Sequence, residues 1–257
     1  MGEFRFKKFT VVNEKSAMKV NTDGVLLGAL MTLSADDRIL LDVGTGTGTV
    51  SLMAAQRLDG TGAAGRAVIH AIDIDTPSAE EAGLNFSRSP WPHCLKAWNM
   101  SLQECRKSID AGGEGGFPHG PGDLVFSNPP YFDSTLRSPD LRRREARHSG
   151  SLSYRDLLEF SAMWLGPEGR CSVILPADTE TDLCRHARMC GLFLFRIVRI
   201  RTVPSKPPRR IVAEFSRHRV TSVAEESLTI QDRGRYTEQY TGLTYPFYLD
   251  AGSADRV

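Results

Sequence analysis

The chain has 257 residues, 40% hydrophobic and 25% charged, with a formal net charge of +1. That length and apolar content suit one large α/β domain with a sizeable core, and the near-neutral balance carries no global basic signature of a nucleic-acid binder. No apolar run approaches the roughly 18 residues that would span a membrane, and the five cysteines, widely spaced and without a C-x-x-C pair, read as reduced residues of a cytosolic protein.

In the opening segment Phe4, Phe6 and Phe9 alternate with lysines and an arginine. This pattern predicts a short strand with one wet face, and with no apolar h-region behind it no signal peptide is expected. Thr22 or Asp23 can cap a helix from Gly24 to Met31. Lys7, Lys8, Lys15 and Lys19 can meet phosphates or simply discourage edge pairing. Arg38 to Val43 (R-I-L-L-D-V) reads as a strand. It runs into Asp42-Val43-Gly44-Thr45-Gly46-Thr47-Gly48 and then a helical T-V-S-L-M-A-A-Q-R. Strand, glycine-rich turn and helix form the nucleotide-binding start of a doubly wound sheet. The spacing is G-x-G-x-G rather than G-x-G-x-x-G. Asp42 disfavours a phosphate and suits a ligand with a positive amine, such as the methionine part of S-adenosylmethionine. The glycines let the backbone approach that ligand closely.

Arg66 to Asp73 (R-A-V-I-H-A-I-D) predicts the second strand. An acid at such a strand tip, about 25 to 30 residues past the glycine turn, commonly holds ribose hydroxyls, which singles out Asp73. Asp75 reads as the N-cap of the next helix, whose buried stripe carries Ala79, Ala82 and Phe86. Cys94 to Met100 is a weaker third strand. Ser101 follows where a cofactor adenine often finds a contact, and Asn99 is a second candidate. Gly112 to Gly122 is a low-complexity loop, and its His119 has no second ligand at metal spacing, so no metal is expected.

Asp123 to Phe132 (D-L-V-F-S-N-P-P-Y-F) organises the rest. A buried strand runs directly into Asn128-Pro129-Pro130-Tyr131, and two prolines that lack N–H donors force the chain out of the sheet. The resulting loop displays a side-chain amide, a proline carbonyl and an aromatic face. The Asn128 oxygen and the Pro129 carbonyl can accept the two hydrogens of a planar amine, and Tyr131 can stack on the ring that bears it. Two acceptors so placed favour a pyramidal nitrogen whose lone pair can attack a methyl carbon, with no general base needed beforehand. A proline-punctuated turn is the plainer alternative. Arg137, Arg142, Arg143, Arg144 and Arg147 follow as a basic run beside this loop, either a patch for a nucleic-acid backbone or a solvated charged loop. Later elements are a helix over 153–165, a strand over 171–175, a helix over 178–190 and two adjacent strands over 192–203 and 210–216. The loop between those strands carries Lys206, Arg209 and Arg210 as further phosphate contacts. The tail from Ser227 is aromatic-rich, and its tyrosines are expected to tie it to the core.

Four stretches carry a family likeness: M-K-V-N-T-D-G-V-L-L-G from Met18, L-D-V-G-T-G-T-G from Leu41, S-N-P-P-Y-F from Ser127, and A-R-H…L-S-Y-R-D-L-L from Ala146. Through them the chain resembles class I S-adenosylmethionine-dependent methyltransferases of the N-P-P-Y group. Within that group it resembles the bacterial tRNA(Val) adenine N6-methyltransferases, which modify the adenosine just 3′ of the anticodon. The resemblance implies a Rossmann-like α/β fold, with a seven-stranded, mostly parallel sheet, an antiparallel last strand and helices on both faces. One methyltransferase domain over 1–257 is expected: an extension over 1–33, a catalytic core over 34–220 and a tail over 221–257 packed on that core. By position, Asp42, Gly44, Gly46 and Gly48 would form the loop for S-adenosylmethionine, Asp73 would hold its ribose, and Asn128 to Tyr131 would hold the target amine. The family often has Asp where Ser101 stands here. The expected partner is the anticodon loop of tRNA, met by a cytoplasmic monomer. Ribosomal RNA or a protein glutamine are alternative substrates, although the glutamine enzymes usually carry an added helical domain before the position of Arg38. A non-catalytic RNA-binding module of the same fold is the alternative outside enzymes.

Overall fold

The computed structural model describes residues 2–112, 117–118, 120–130 and 152–249. Tyr131, the arginines at 137, 142, 143, 144 and 147, and His119 lie outside the described residues.

An N-terminal hairpin, β1 (Glu3–Arg5) and β2 (Thr10–Val12), leads into helix α1 (Thr22–Leu30). Strands and helices then alternate: β3 (Ile39–Val43), α2 (Thr49–Gly60), β4 (Val68–Asp73), α3 (Thr76–Ser87), β5 (Leu95–Asn99), α4 (Leu102–Asp110) and β6 (Gly122–Ser127). After the undescribed stretch come α5 (Tyr154–Trp164), β7 (Leu165–Pro176), α6 (Glu180–Met189), β8 (Phe193–Arg201) and β9 (Arg210–Ser216). The chain closes with β10 (Ala224–Thr229), a small ribbon of β11 (Gln231–Asp232) and β12 (Arg235–Tyr236), and α7 (Glu238–Thr244).

The central sheet has eight strands in the order β10-β8-β9-β7-β6-β3-β4-β5. Strands β3, β4, β5, β6 and β7 run parallel, β9 is antiparallel to β7 and β8, and β10 is parallel to β8. The seven-stranded expectation therefore gains an edge strand. Its sequence, A-E-E-S-L-T, is mostly exposed and has no apolar alternation. A backbone ladder to β8 over its whole length holds it, with Leu228 buried and ion pairs from Arg196 to Glu226 and from Arg199 to Glu225, each at 2.7 Å, on its exposed side.

Alternation along the inner strands builds a core on each face. Leu40, Ile69, Leu124 and Phe126 pack on the face of α1 and α2, while Leu41, Ile72, Val125 and Val173 pack on the face of α5. Leu40 and Leu41 are fully buried, and each such side chain contributes about 1.5–3 kcal/mol. The aromatic tail joins the first face through buried Tyr240, Phe247 and Tyr248. Asn21, rather than Thr22 or Asp23, caps α1, its Oδ1 accepting from the Gly24 N–H at 2.8 Å. Asp23 is drawn aside by Arg210, whose Nε lies 2.8 Å from its carboxylate.

Gly48 starts α2 with φ +80°, and a Cβ there would stand 2.5 Å from the Phe86 ring. Left-handed backbone alone costs a non-glycine residue roughly 1–3 kcal/mol, and the ring overlap adds to it. Gly48→Ala is therefore expected to lower the unfolding free energy by at least that much in chemical denaturation. A variant as stable as the parent would show that this turn relaxes freely.

Candidate active site

The site lies where the parallel strands end. The β3–β6 ladder stops at the Asp42–Phe126 pair. One residue further on, the buried Ser127 hydroxyl donates to the Val43 carbonyl at 2.6 Å. A side chain thus satisfies the carbonyl at which the ladder ends, and the prolines that follow keep the chain from rejoining it. The two strand tips are fixed side by side, and the chain leaves β6 at Asn128 beside the glycine turn. A cleft of about 430 Å³ runs between them, lined by Gly44, Gly46, Asp73, Ser101, Asn128 and Pro130 among others. Its volume falls within the range of small-molecule sites.

The turn after β3 is held from below and from the side. Gly44 and Thr45 donate to the Ile72 carbonyl at 2.9 and 3.0 Å. Gly46 donates to Asp73 Oδ2 at 2.8 Å, and the Asp75 N–H donates to Asp73 Oδ1 at 2.9 Å. The Asp73 carboxylate is therefore fixed in orientation at the wall of the cleft, with lone pairs left for hydroxyl donors. Burial raises its pKa, partly offset by the Asp75 and Gly46 N–H groups. Gly48, which begins α2 under this turn, is not among the residues lining the cleft.

Asp42 does something other than expected. Its carboxylate is buried below the turn and accepts from the Thr45 and Ser51 hydroxyls, each at 2.7 Å. It does not line the cleft, so it braces the loop instead of meeting a ligand ammonium. Burial pushes its pKa up to about 6, against the lowering effect of the two hydroxyls.

Of the two adenine-contact candidates, Asn99 is engaged elsewhere: its amide donates to the Asp73 and Ile74 carbonyls and accepts from Thr76 Oγ1. Ser101 reaches the cleft, but its hydroxyl caps α4 in a reciprocal box with Glu104. Its N–H donates to the same Glu104 at 2.7 Å and its carbonyl accepts from the Cys105 N–H at 2.9 Å, and Gln103, two residues on, also lines the cleft.

Two lining residues come from the N-terminal extension, where the sequence pattern predicts only a strand, a helix and lysines that can meet phosphates. Ala17 and Met18 line the cleft, and a Cβ on Gly46 (φ +56°) would stand 3.3 Å from the Met18 carbonyl oxygen. This strap is pinned to α3. Buried Glu81 accepts from the N–H groups of Glu14, Lys15 and Ser16 at 2.8, 2.7 and 3.1 Å. Asn85 exchanges two bonds with Val12 and donates to the Thr47 carbonyl. Neither Glu81 nor Asn85 has a sequence signal beyond a polar residue on a helical stripe. Leu152 closes the far wall.

Asn128 is buried and lines the cleft with exposed Pro130, while Pro129 between them is buried and not among the lining residues. Lys19, expected at a phosphate, donates to the carbonyls of Asn13 and Glu14 at 2.9 and 2.6 Å and so closes the turn of the strap. Arg210, likewise, pairs with Asp23. Lys206 and Arg209 are exposed on the loop between β8 and β9. Because Arg210 pairs with Pro176 at the end of β7, that loop emerges at the same end of the sheet as the cleft.

No family model matches the chain. Among solved structures, a predicted O-methyltransferase of Agrobacterium tumefaciens superposes with a TM-score of 0.62 at 17% identity, covering 88% of this chain and 96% of that one. A methyltransferase from Pyrococcus furiosus gives 0.53 at 18% identity, covering 81% and 90%. The sheet order and the cleft at the glycine turn, with these likenesses, define the fold as that of a class I S-adenosylmethionine-dependent methyltransferase. In sequence, the chain is 39% identical over 247 residues to the tRNA1(Val) (adenine(37)-N6)-methyltransferase of Parabacteroides distasonis, covering 96% of this chain and 97% of that protein. It is 36% identical over 247 residues to the protein of that name from Photobacterium profundum, covering 96% and 98%. The chain belongs to the tRNA1(Val) (adenine(37)-N6)-methyltransferase family.

The buried Asp42 has a consequence for stability. The folded state keeps its proton up to about pH 6, whereas the unfolded chain releases it near 3.8. Stability from this group is therefore lost as pH rises between those values and stays lower above them. Asn in its place can still accept from both hydroxyls without a charge to desolvate. Asp42→Asn is expected to gain on the parent by roughly 2–3 kcal/mol between pH 4 and pH 7. Urea unfolding across that range checks it, and a pH-independent difference would refute it.

Proposed function

We propose that this chain transfers the methyl group of S-adenosylmethionine to N6 of an adenosine in tRNA, adenosine 37 of tRNA1(Val) being the nucleotide that its relatives' names specify. The observation that carries this reading is that Asn128, at the proline-terminated tip of β6, lines the same cleft as Gly44, Gly46 and Asp73.

The residues present suit the cofactor. Ile72, Ile74, Met100 and Leu102 give the cleft apolar walls, fitting for an adenine. The Asp73 carboxylate, oriented by two backbone N–H groups, would accept from ribose hydroxyls. The absent side chains of Gly46 and Gly44 let the strap at Met18 and the side chain of Leu152 close on the turn that borders the cleft. When bound, the cofactor supplies an electrophilic methyl carbon on a sulfonium sulfur.

The chain's own task is positioning. The Asn128 oxygen and the Pro129 carbonyl accept the two N–H bonds of the target amine. This draws the nitrogen lone pair out of conjugation and aims it along the cleft. The proton leaves after the bond has formed, so no general base is required. Pro130 stiffens the hook, and Tyr131 stacks on the base. The target base must leave its stack first, which costs less in an anticodon loop than in a duplex. Lys206 and Arg209 hold the RNA backbone, and the arginines at 137, 142, 143, 144 and 147, which lie outside the described residues, supply further cations for it. We place the reaction in the cytoplasm and assign it to a monomer; among the described residues no helix is long and apolar enough to cross a membrane.

Three measurements test this. Incubating the protein with labelled cofactor and tRNA1(Val) transcript should place label in N6-methyladenosine, and a transcript with guanosine at position 37 should take up none. Asn128→Ala should abolish transfer while changing cofactor affinity by no more than a few-fold. Transfer at near the parental rate would mean that the amine is held elsewhere. Replacing Lys206 and Arg209 together by alanine should weaken tRNA binding and flatten the slope of log affinity against log salt by about 1–2. An unchanged slope would remove that loop from the RNA surface.

A further inference from the structure

We propose that Asn21, the residue capping α1, is a positioning residue for the amine clamp: it decides which end of the Asn128 amide faces the cleft. This rests on Asn128 being the clamp.

A side-chain amide can sit either way round, and only one orientation presents an acceptor to an amine. Asn21 has no such freedom. Its Oδ1 accepts from the Gly24 N–H at 2.8 Å, and its Nδ2 donates to the Lys19 carbonyl at 2.9 Å. Turning it over would set N–H against N–H at one end and oxygen against oxygen at the other. The atom that Asn21 offers to Asn128 is therefore an oxygen. It lies 3.4 Å from Asn128 Nδ2, and the Met18 sulfur, also an acceptor, lies 3.7 Å from the same nitrogen. Two acceptors on one side make that side the donor side of Asn128, and its oxygen is the end turned away from them. The opposite orientation would place the Asn128 oxygen against both.

The cap is held in place from outside the cleft as well. Asp23, two residues on, pairs with Arg210 at the head of β9. Lys19, two residues before, closes the strap turn through Asn13 and Glu14. Asn21 thus links a rigid helix start to the one polar side chain whose orientation the chemistry needs.

A residue that only capped the helix would affect stability and nothing else, and the choice of variants separates the two roles. Ser and Asp are both good N-caps. Asp keeps an acceptor oxygen at the reach of Asn128, whereas Ser is too short to approach it. With the full-length protein and tRNA1(Val) transcript, Asn21→Ser is expected to lower kcat about ten- to a hundredfold. Its melting temperature and its KM for S-adenosylmethionine should stay near the parent's. Asn21→Asp should keep kcat within a few-fold. Equal kcat in the two variants and the parent would overturn the proposal, and so would losses in both that track melting temperature. If Asn21→Ser does not fold, Asn21→Thr, also a cap and also too short, gives the same comparison. Asn128→Ala assayed alongside tells the two readings apart: full activity there removes the clamp itself, whereas an inactive Asn128→Ala with a fully active Asn21→Ser removes only the role of Asn21.

Discussion

The bond from the Ser127 hydroxyl to the Val43 carbonyl fixes where two neighbouring strands stop. The ladder ends there, and Pro129 and Pro130, which lack N–H groups, keep the chain from resuming it. Ser127 supplies the last rung from its side chain, so the carbonyl of Val43 is satisfied without another residue of β6. The glycine turn of β3 and the amide at the tip of β6 are left side by side at one height. The two segments that line the cleft become neighbours through ordinary backbone hydrogen bonding rather than through a dedicated connecting element.

The second requirement is a lid on that juxtaposition, and the N-terminal strap provides it without forming a ladder with the main sheet. Its N–H groups still need acceptors in a partly buried place. Glu81 serves three of them with one carboxylate, and bonds to a charged acceptor are the stronger kind. Asn85 ties the end of β2 to the carbonyl of Thr47, so the strap and the glycine turn share an anchor on α3. One helix thus serves both segments: Glu81 and Asn85 hold the strap, and Ala82 and Phe86 beside them pack under Gly48.

Much of this was legible in the sequence. The apolar strands, the glycine turn, the acid at the tip of β4 and the proline-locked hook all announce themselves through residue types that backbone sterics require. What was not legible depends on partners distant in sequence. Asp42 looks like a ligand for an ammonium group until Thr45 and Ser51 are seen to surround it. Lys19 and Arg210 look like free cations until carbonyls and Asp23 are found beside them. Strand β10 hides because it is held by its backbone ladder to β8 and by Arg196 and Arg199, not by an apolar face of its own. Asn21, between a lysine-rich turn and two equally plausible caps, gives no local hint that it faces Asn128.

The hairpin that begins the strap is completed by the other end of the chain. Lys7 donates from its backbone to Phe247 at 2.7 Å, Phe6 bridges to Tyr248, and their rings stack 5.9 Å apart. During synthesis the first strands emerge some 240 positions before the residues that secure them, and a two-stranded hairpin is marginal on its own. The hairpin therefore gains these last aromatic contacts only after nearly 250 residues have been made, whereas Glu81 and Asn85 can hold the strap behind it much earlier.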